Sequence, residues 1–313
     1  MAASLAVAAN EETAAPAGRD AAAWIDDLAV DDVRVRWYAG YALGRLGPEA
    51  APAVGRLVEL LSDQRQYEYV RGAAAWALGR IGPPAESAIP LLIETLASKH
   101  LSVRRNAPWA LGRFGPAARA AVDRLRPLLH DDDPTVRANA AEALWRIDRS
   151  TDALAMLLAA LEQPDDPAAF DACVVLGRLD APAEQAVPAL IAALNHPDAD
   201  VRRAAARALA SYGSAARAAL ETALSDTREP VRLGAVEAMG HLGAEAVEPL
   251  MVALRHADPA LRRAAARALG RLGPAAAAAE ASLLECSGDA DPLVRQTAAE
   301  ALRRVRGAGA PQS

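Results

Sequence analysis

Aromatic residues make up only 4% of this 313-residue chain, which also holds just two cysteines and five histidines. With few rings to fill a core, the chain relies on alanine and aliphatic side chains, which suits closely packed helices rather than sheets. Cys173 and Cys286 lie far apart and fit no metal-ligand spacing, so neither a disulfide nor a cysteine zinc site is expected. No apolar run reaches membrane-spanning length. A basic excess is missing too. The net charge is −6, and residues 1–148 carry 17 basic and 19 acidic groups, 149–213 carry 5 and 9, and 214–313 carry 12 of each. That balance argues against a dedicated nucleic-acid binder. GxGxxG, Walker, HExxH, GxSxG and CxxC motifs are likewise absent from any supporting context, so no catalytic residue, cofactor or metal ligand is expected. His130 with Asp131, Asp132 and Asp133 could be read as a cation site. Three consecutive carboxylates cannot all converge on one ion, however, and helix capping explains them better.

What the chain has in abundance is one motif, seen as VRRAAARALASYG at Val201 to Gly213 and often ending in Gly-Arg-Leu-Gly. Nine copies begin at Val35, Val70, Val103, Val136, Ala168, Val201, Val231, Leu261 and Val294, at spacings of 30 to 35 residues. Such a period is the signature of a solenoid, in which each unit buries its apolar face only against its neighbours. The repeats run over residues 19–47, 48–82, 83–115, 116–148, 149–180, 181–213, 214–243, 244–273 and 274–307, read as one elongated domain spanning 19–307.

Each repeat reads as an outer helix, an acidic turn and the motif helix. Outer helices are expected at Ala50 to Leu61, Glu86 to Ala97, Ala117 to Leu129 and Glu184 to Leu194, after a first helix from Asp20 to Ala29. The turns HDDDP, HPDAD, HADP and DADP supply N-cap carboxylates and helix-start prolines. Gly82, Gly115, Gly213, Gly243 and Gly273 are placed to close motif helices in a left-handed conformation. Eighteen helices in nine pairs result.

At 100° per residue, motif positions 1, 5, 8, 9 and 12 fall on one arc, which is the expected buried face. Positions 3, 4, 7 and 11 lie opposite and vary among the nine copies, which marks them for function. Position 7 reads Tyr41, Trp76, Trp109, Glu142, Val174, Arg207, Glu237, Arg267 and Glu300. Its three aromatics, extended by Trp37 and Tyr38, form either a recognition ladder or rings folded back over the neighbouring repeat as core. Arg105, Asn106, Glu142, Arg203, Arg207 and Arg267 join them as candidate partner-binding residues. Pro108 either kinks its helix and re-aims Trp109 or is a tolerated defect near the helix start.

Arginine falls into two sets. Position 2 carries Arg36, Arg71, Arg104, Arg137, Arg202, Arg232, Arg262 and Arg295 beside the acidic turns, where a structural role is expected. Position 11 carries Arg45, Arg80, Arg113, Arg146, Arg178, Arg271 and Arg304, explained by the helix dipole or by an anion-accepting stripe. In repeat 5, Ala168-Ala169 replace Val-Arg, which predicts a local change of curvature or a soft joint near residues 162–171.

With A-V-P-x-L-x-x-A-L (Ala186 to Leu194), an acidic turn and VRxxAAxALGRLG, residues 19–306 resemble a HEAT-repeat protein of the short phycobilisome-lyase HEAT-like type. The resemblance implies an all-α, right-handed α-solenoid of about nine helix pairs with the motif helices on its concave surface. It also implies a structural ladder of turn Asp and position-2 Arg. HEAT-like di-iron hydroxylases carry paired His-Glu motifs, and none of His100, His130, His196, His241 or His256 is followed by Glu. The expected function is a non-catalytic scaffold, a monomer that holds a protein or peptide on its concave face. A phycobilin lyase-like subunit and a DNA-binding, glycosylase-like protein are the alternatives. Residues 1–18 read as a disordered Ala-rich leader or a signal-peptide remnant, and 308–313 as a flexible tail. A cytoplasmic location follows from the first reading of the leader, a periplasmic or secreted one from the second.

Overall fold

The computed structural model describes residues 20–307, so the expectations for 1–18 and 308–313 lie outside the described residues. By its internal packing the chain divides after Leu154 into two units. Among the described residues it forms eighteen α-helices in nine pairs.

In the first unit the motif helices are α2 (Val33–Leu46), α4 (Glu68–Ile81), α6 (Leu101–Phe114) and α8 (Pro134–Asp148). Their outer partners are α1 (Ala21–Asp27), α3 (Val54–Ser62), α5 (Ile89–Thr95) and α7 (Val122–Leu125). Each motif helix packs on its outer partner and on the next motif helix of the unit. Helix α9 (Thr151–Glu162) runs across the division. The second unit continues with outer helices α11 (Ala183–Ala193), α13 (Ser214–Ala223), α15 (Val247–Ala253) and α17 (Glu280–Cys286). Its motif helices are α10 (Ala169–Leu176), α12 (Ala199–Ser211), α14 (Glu229–Met239), α16 (Pro259–Leu272) and α18 (Pro292–Val305).

The outer helices correct the expectation in detail. Residues Gly47–Ala53, Pro83–Ala88, Gly115–Ala121, Gly243–Ala246 and Gly273–Ala279 form 3-10 helix, so five of the described outer helices start tighter than α. Proline accounts for four of these starts, all but Gly243–Ala246, and for the broken fourth outer helix. Lacking an N–H and crowding the carbonyl four residues back, Pro48, Pro52, Pro83, Pro116 and Pro274 fit the short 3-10 turns better than an α-helix interior. Pro127 likewise cuts α7 to four residues and turns Arg126–His130 into 3-10 helix.

The caps behave as the acidic turns suggest. Asp32, Asp133, Asp198, Asp258 and Asp291 each accept a backbone N–H from the first turn of the motif helix they precede. At the other end the closing glycines do take positive φ, but Gly82, Gly115, Gly213 and Gly273 pair it with ψ between −140 and −131°. This is not the left-handed helical region. It is a region open essentially to glycine, and it sends the chain straight into the next outer helix.

Positions 5, 8 and 9 of the expected arc are buried in all nine copies and position 1 in all but Val35, whereas position 12 is buried in five and half-buried at Leu46, Tyr212, Leu242 and Leu272. In α6, for example, Val103, Ala107, Ala110, Leu111 and Phe114 are all in the core. Position 6 is buried as well in eight of the nine copies, with Pro108 and Cys173 among them. Alanine at position 8 lets the motif helices approach closely where position 10 is glycine. A Cβ on Gly79 would sit 2.6 Å from Ala110 Cα, and one on Gly112 2.9 Å from Ala143 Cα. In the second unit, Gly177 and Gly270 face Ala208 and Ala301 in the same way, at 3.0 Å.

Candidate functional site

The position-2 arginines hold the turns. All eight donate to backbone carbonyls just ahead of their own helix, seven of them in the turn, as in Arg36 to Val30 O at 2.7 Å and Arg202 to His196 O at 2.7 Å, and Arg71 at the end of α3. Arg104, Arg232 and Arg262 also reach forward to the next turn, to Asp131 at 2.8 Å, Asp258 at 3.1 Å and Asp289 at 2.7 Å. Arg71 differs, being fully buried, with its guanidinium on Leu61 O and Gln64 Oε1. Burial depresses its pKa. The hydrogen bond from Arg262 holds the Asp289 carboxyl below its ordinary value, and Asp258 is lowered by its backbone bond to Ala260 and by Arg232.

Position 7 in the first unit carries a continuous stack. Trp37 and Tyr41 lie one turn apart on α2 with centroids 6.3 Å apart and planes 14° from parallel. Tyr41 stacks on Trp76 of α4 at 5.1 Å and 16°, and Trp76 on Trp109 of α6 at 6.3 Å and 18°. Tyr38 leaves the stack and meets Trp24 edge-on at 5.6 Å. Trp37 and Tyr38 are 39% and 42% exposed, whereas Tyr41, Trp76 and Trp109 are half-buried. The rings thus pack against neighbouring repeats, and Trp37 and Tyr38 are the more exposed of them. A Cβ on Gly44 would meet the Trp76 ring at 2.4 Å, and one on Gly79 the Trp109 ring at 3.1 Å. Each indole thus covers a position-10 glycine of the preceding motif helix and is itself half-buried.

The arginine four residues on completes each rung. The guanidinium carbons of Arg45, Arg80 and Arg113 sit 5.9, 5.7 and 5.9 Å from the ring centroids of Tyr41, Trp76 and Trp109. Arg80 also donates from Nε to Gly44 O at 3.4 Å. The helix dipole alone does not account for this arrangement, which the (i, i+4) spacing of positions 7 and 11 could have disclosed.

Other candidates are placed differently. Glu142 is 2% exposed and forms an ion pair with Arg146 at 2.8 Å, so it is a buried group rather than a contact surface. Arg105 grips Asp133 with both ends of its fork, at 2.9 and 2.6 Å, and so braces the cap of α8. Asn106 donates to Ser102 O one turn back. Asn139 supplies a donor to Arg105 O at 2.8 Å, in the turn loosened by Pro108, and α6 stays one continuous helix. In the second unit Arg203, Arg207 and Arg267 are exposed, and Arg203 pairs with Asp200 of its own turn.

The repeat chemistry is matched at the level of sequence families. The family model described as HEAT repeats matches residues 21–107, 89–176, 154–240 and 216–303. The chain belongs to the HEAT-repeat family. The match is to HEAT repeats as a class, and the short phycobilisome-lyase type remains a resemblance. No curated protein matches. Among solved structures, a chain in the structure of Kap95p binding to RanGDP is 15% identical with a TM-score of 0.51, over 92% of this chain and 44% of that one. This chain therefore spans less than half of that relative, and the likeness is one of fold. An engineered protein (24% identity, TM-score 0.41, 91% of this chain and 88% of that one) also matches. So does human deoxyhypusine hydroxylase in complex with glycerol (23%, 0.33, 92% and 84%). Among the described residues of this HEAT-repeat chain, no group of three or more His, Cys, Asp or Glu could hold a metal ion, and no helix is long and apolar enough to cross a membrane.

Proposed function

We propose that this HEAT-repeat chain is a binding scaffold whose first unit takes a protein segment on the face of α2, α4 and α6. The stack Trp37–Tyr41–Trp76–Trp109 carries the reading. Held by glycine clefts beneath and guanidinium groups beside them, the rings are ordered before any partner arrives, so little side-chain entropy is lost on binding. Tryptophan, tyrosine and arginine are also the residues that dominate interface energetics. The fold of the Kap95p chain, and the partner named with it, are in keeping with this use of the repeat.

The half-buried Trp76 and Trp109 are poor first targets, because truncating either opens a cavity over Gly44 or Gly79. Trp37 is the cleaner probe. Full-length protein is captured from its native cell as wild type and as Trp37→Ala, and the co-purifying species are identified. A protein partner that is lost from the variant, with helicity unchanged, supports the proposal. A partner retained at wild-type level removes it. A bound tetrapyrrole, or DNA that washes off steeply with salt, would put a lyase-like or nucleic-acid role in its place.

A further inference from the structure

The second unit gathers cations from neighbouring motif helices, and what they select goes beyond the aromatic face of the first. Positions 7 and 11 of α12, α14 and α16 hold Arg207, Glu237, His241, Arg267 and Arg271, three arginines against one acid in a chain whose net charge is −6. Nearby, Arg203 is paired with Asp200, and Arg304 of α18 with Glu300. Among the described residues, Arg207, Arg267 and Arg271 make no hydrogen bond or ion pair, and all are exposed. Arg267 and Arg271 are also like charges one turn apart on α16, an arrangement that weakens a helix until an anion joins them.

Two of these arginines act on one imidazole. Arg271 folds back from α16, so that its Cζ would lie 3.3 Å from a Cβ on Gly240 of α14, the residue before His241. Arg207 acts from α12, and both helices pack on α14. Partial burial and the charges of Arg271 and Arg207 hold the His241 pKa below its ordinary value, while Glu237, one turn back on α14, opposes them. Three arginines less one glutamate leave two positive charges beside a neutral, exposed ring. A phosphomonoester matches that surplus, with about −1.5 to −2 charge at pH 7 and three acceptor oxygens for groups arriving from three helices. A carboxylate offers a single charge and two oxygens. A long polyanion would run onto the turns ahead of α12, α14 and α16, which carry Asp198, Asp226 and Asp258. We infer that Arg207, His241 and Arg271, assisted by Arg267, bind the phosphate of a phosphomonoester.

The test follows the full chain by NMR with isotope-labelled histidine, and His241→Gln assigns the His241 ring. The probes are inorganic phosphate, a short alanine peptide with a central phosphoserine, the same peptide unphosphorylated, acetate at matched ionic strength, and a short oligodeoxythymidine. Phosphate and the phosphopeptide are expected to shift the His241 signals saturably in the millimolar range or below and to raise its pKa above the ordinary value. His100, His130, His196 and His256 serve as internal references. Arg207→Gln and Arg271→Gln should each weaken binding roughly tenfold, as expected for loss of one charge-assisted contact, with the fold checked by circular dichroism. Tighter binding of the phosphopeptide than of phosphate assigns the site to a phosphorylated protein; equal or weaker binding assigns it to a small phosphate compound. No saturable change at His241, a change shared by all five histidines, or an equal response to acetate or to the unphosphorylated peptide each overturns the inference. So does binding unchanged in both arginine variants, or tighter binding of the oligonucleotide than of the phosphopeptide.

Discussion

Replacing Gly79 by alanine puts the packing of the first unit to the test. In a helix interior the exchange ordinarily stabilises by about 1 kcal/mol, because alanine loses less backbone freedom on folding. Here the added Cβ would lie 2.6 Å from Ala110 Cα, 2.8 Å from its Cβ and 3.1 Å from the Trp109 ring. Relief to 3.4 Å, where ordinary contact begins, requires α4 and α6 to part by roughly 0.8 Å. Two of the three clashing atoms are not the tips of flexible side chains, so the shift must be taken along the whole helix contact. Overpacking of this kind costs about 1–3 kcal/mol, and the triple clash places Gly79→Ala at the upper end. After the propensity gain, the variant should be about 1–2 kcal/mol less stable than wild type. Gly55, exposed in α3 with nothing within 4 Å of its Cβ position, is the control. Gly55→Ala should stabilise by up to about 1 kcal/mol. Urea unfolding followed by circular dichroism and by tryptophan fluorescence reads both, since repeat proteins need not unfold in one step. A Gly79→Ala protein as stable as Gly55→Ala would refute the close approach of α4 and α6.

Further outcomes follow from the turns and the core. Asp289→Asn should cost about 1 kcal/mol, because the Arg262 fork loses its carboxylate while staying in place. Asp226 is lowered to about 2 by hydrogen bonds from Arg228, and Asp133, Asp258 and Asp289 lie below 3.8. These depressed carboxylates stabilise the fold above their unfolded pKa, and that share is lost as pH falls below 3.8 toward 2. Acid titration should therefore show unfolding there, and a flat stability profile through that window would contradict the ladder. Burial pushes the Cys173 thiol up to about 12, so Ellman's reagent should leave it untouched in the native protein at pH 8 and label it in urea. Rapid native labelling would mean that α10 opens far more readily than its packing implies. Residues 162–171 should exchange amide hydrogens faster than their counterparts in repeats 3 and 7. There α10 is only eight residues long and Ala169 supplies no guanidinium to its turn; equal exchange would remove the soft joint.

Periodicity was enough to read the nine pairs, the buried arc and the capping aspartates. The same helical spacing that places Val103, Ala107, Ala110 and Leu111 on one face in the sequence buries them in the structure. Side chains whose partners sit on another helix were less legible. Arg105 and Glu142 face outward on a single helical wheel, yet Asp133 on the next turn claims the first, and burial beside Arg146 the second. A wheel holds no information about the neighbouring helix. The glycine of Gly-Arg-Leu-Gly was visible as a repeated residue. Its role as the cleft beneath the next repeat's indole emerges only when α2 and α4 are stacked. Four of the five 3-10 starts contain a proline, Pro48, Pro52, Pro83, Pro116 or Pro274, a residue whose effect on the outer helix depends on where the tighter turn begins, which helical periodicity does not report.

The claim that the stacked face of the first unit is the contact surface is tested most directly by site-specific photo-crosslinking in the native cell. A photoreactive phenylalanine analogue is placed at position 37, on the exposed end of the stack, or at position 252, on the outer helix α15 where Val252 is 71% exposed. A covalent adduct with a protein partner from position 37 and none from position 252 is the predicted result. An adduct from 252 alone, or equal yield from both, would contradict it.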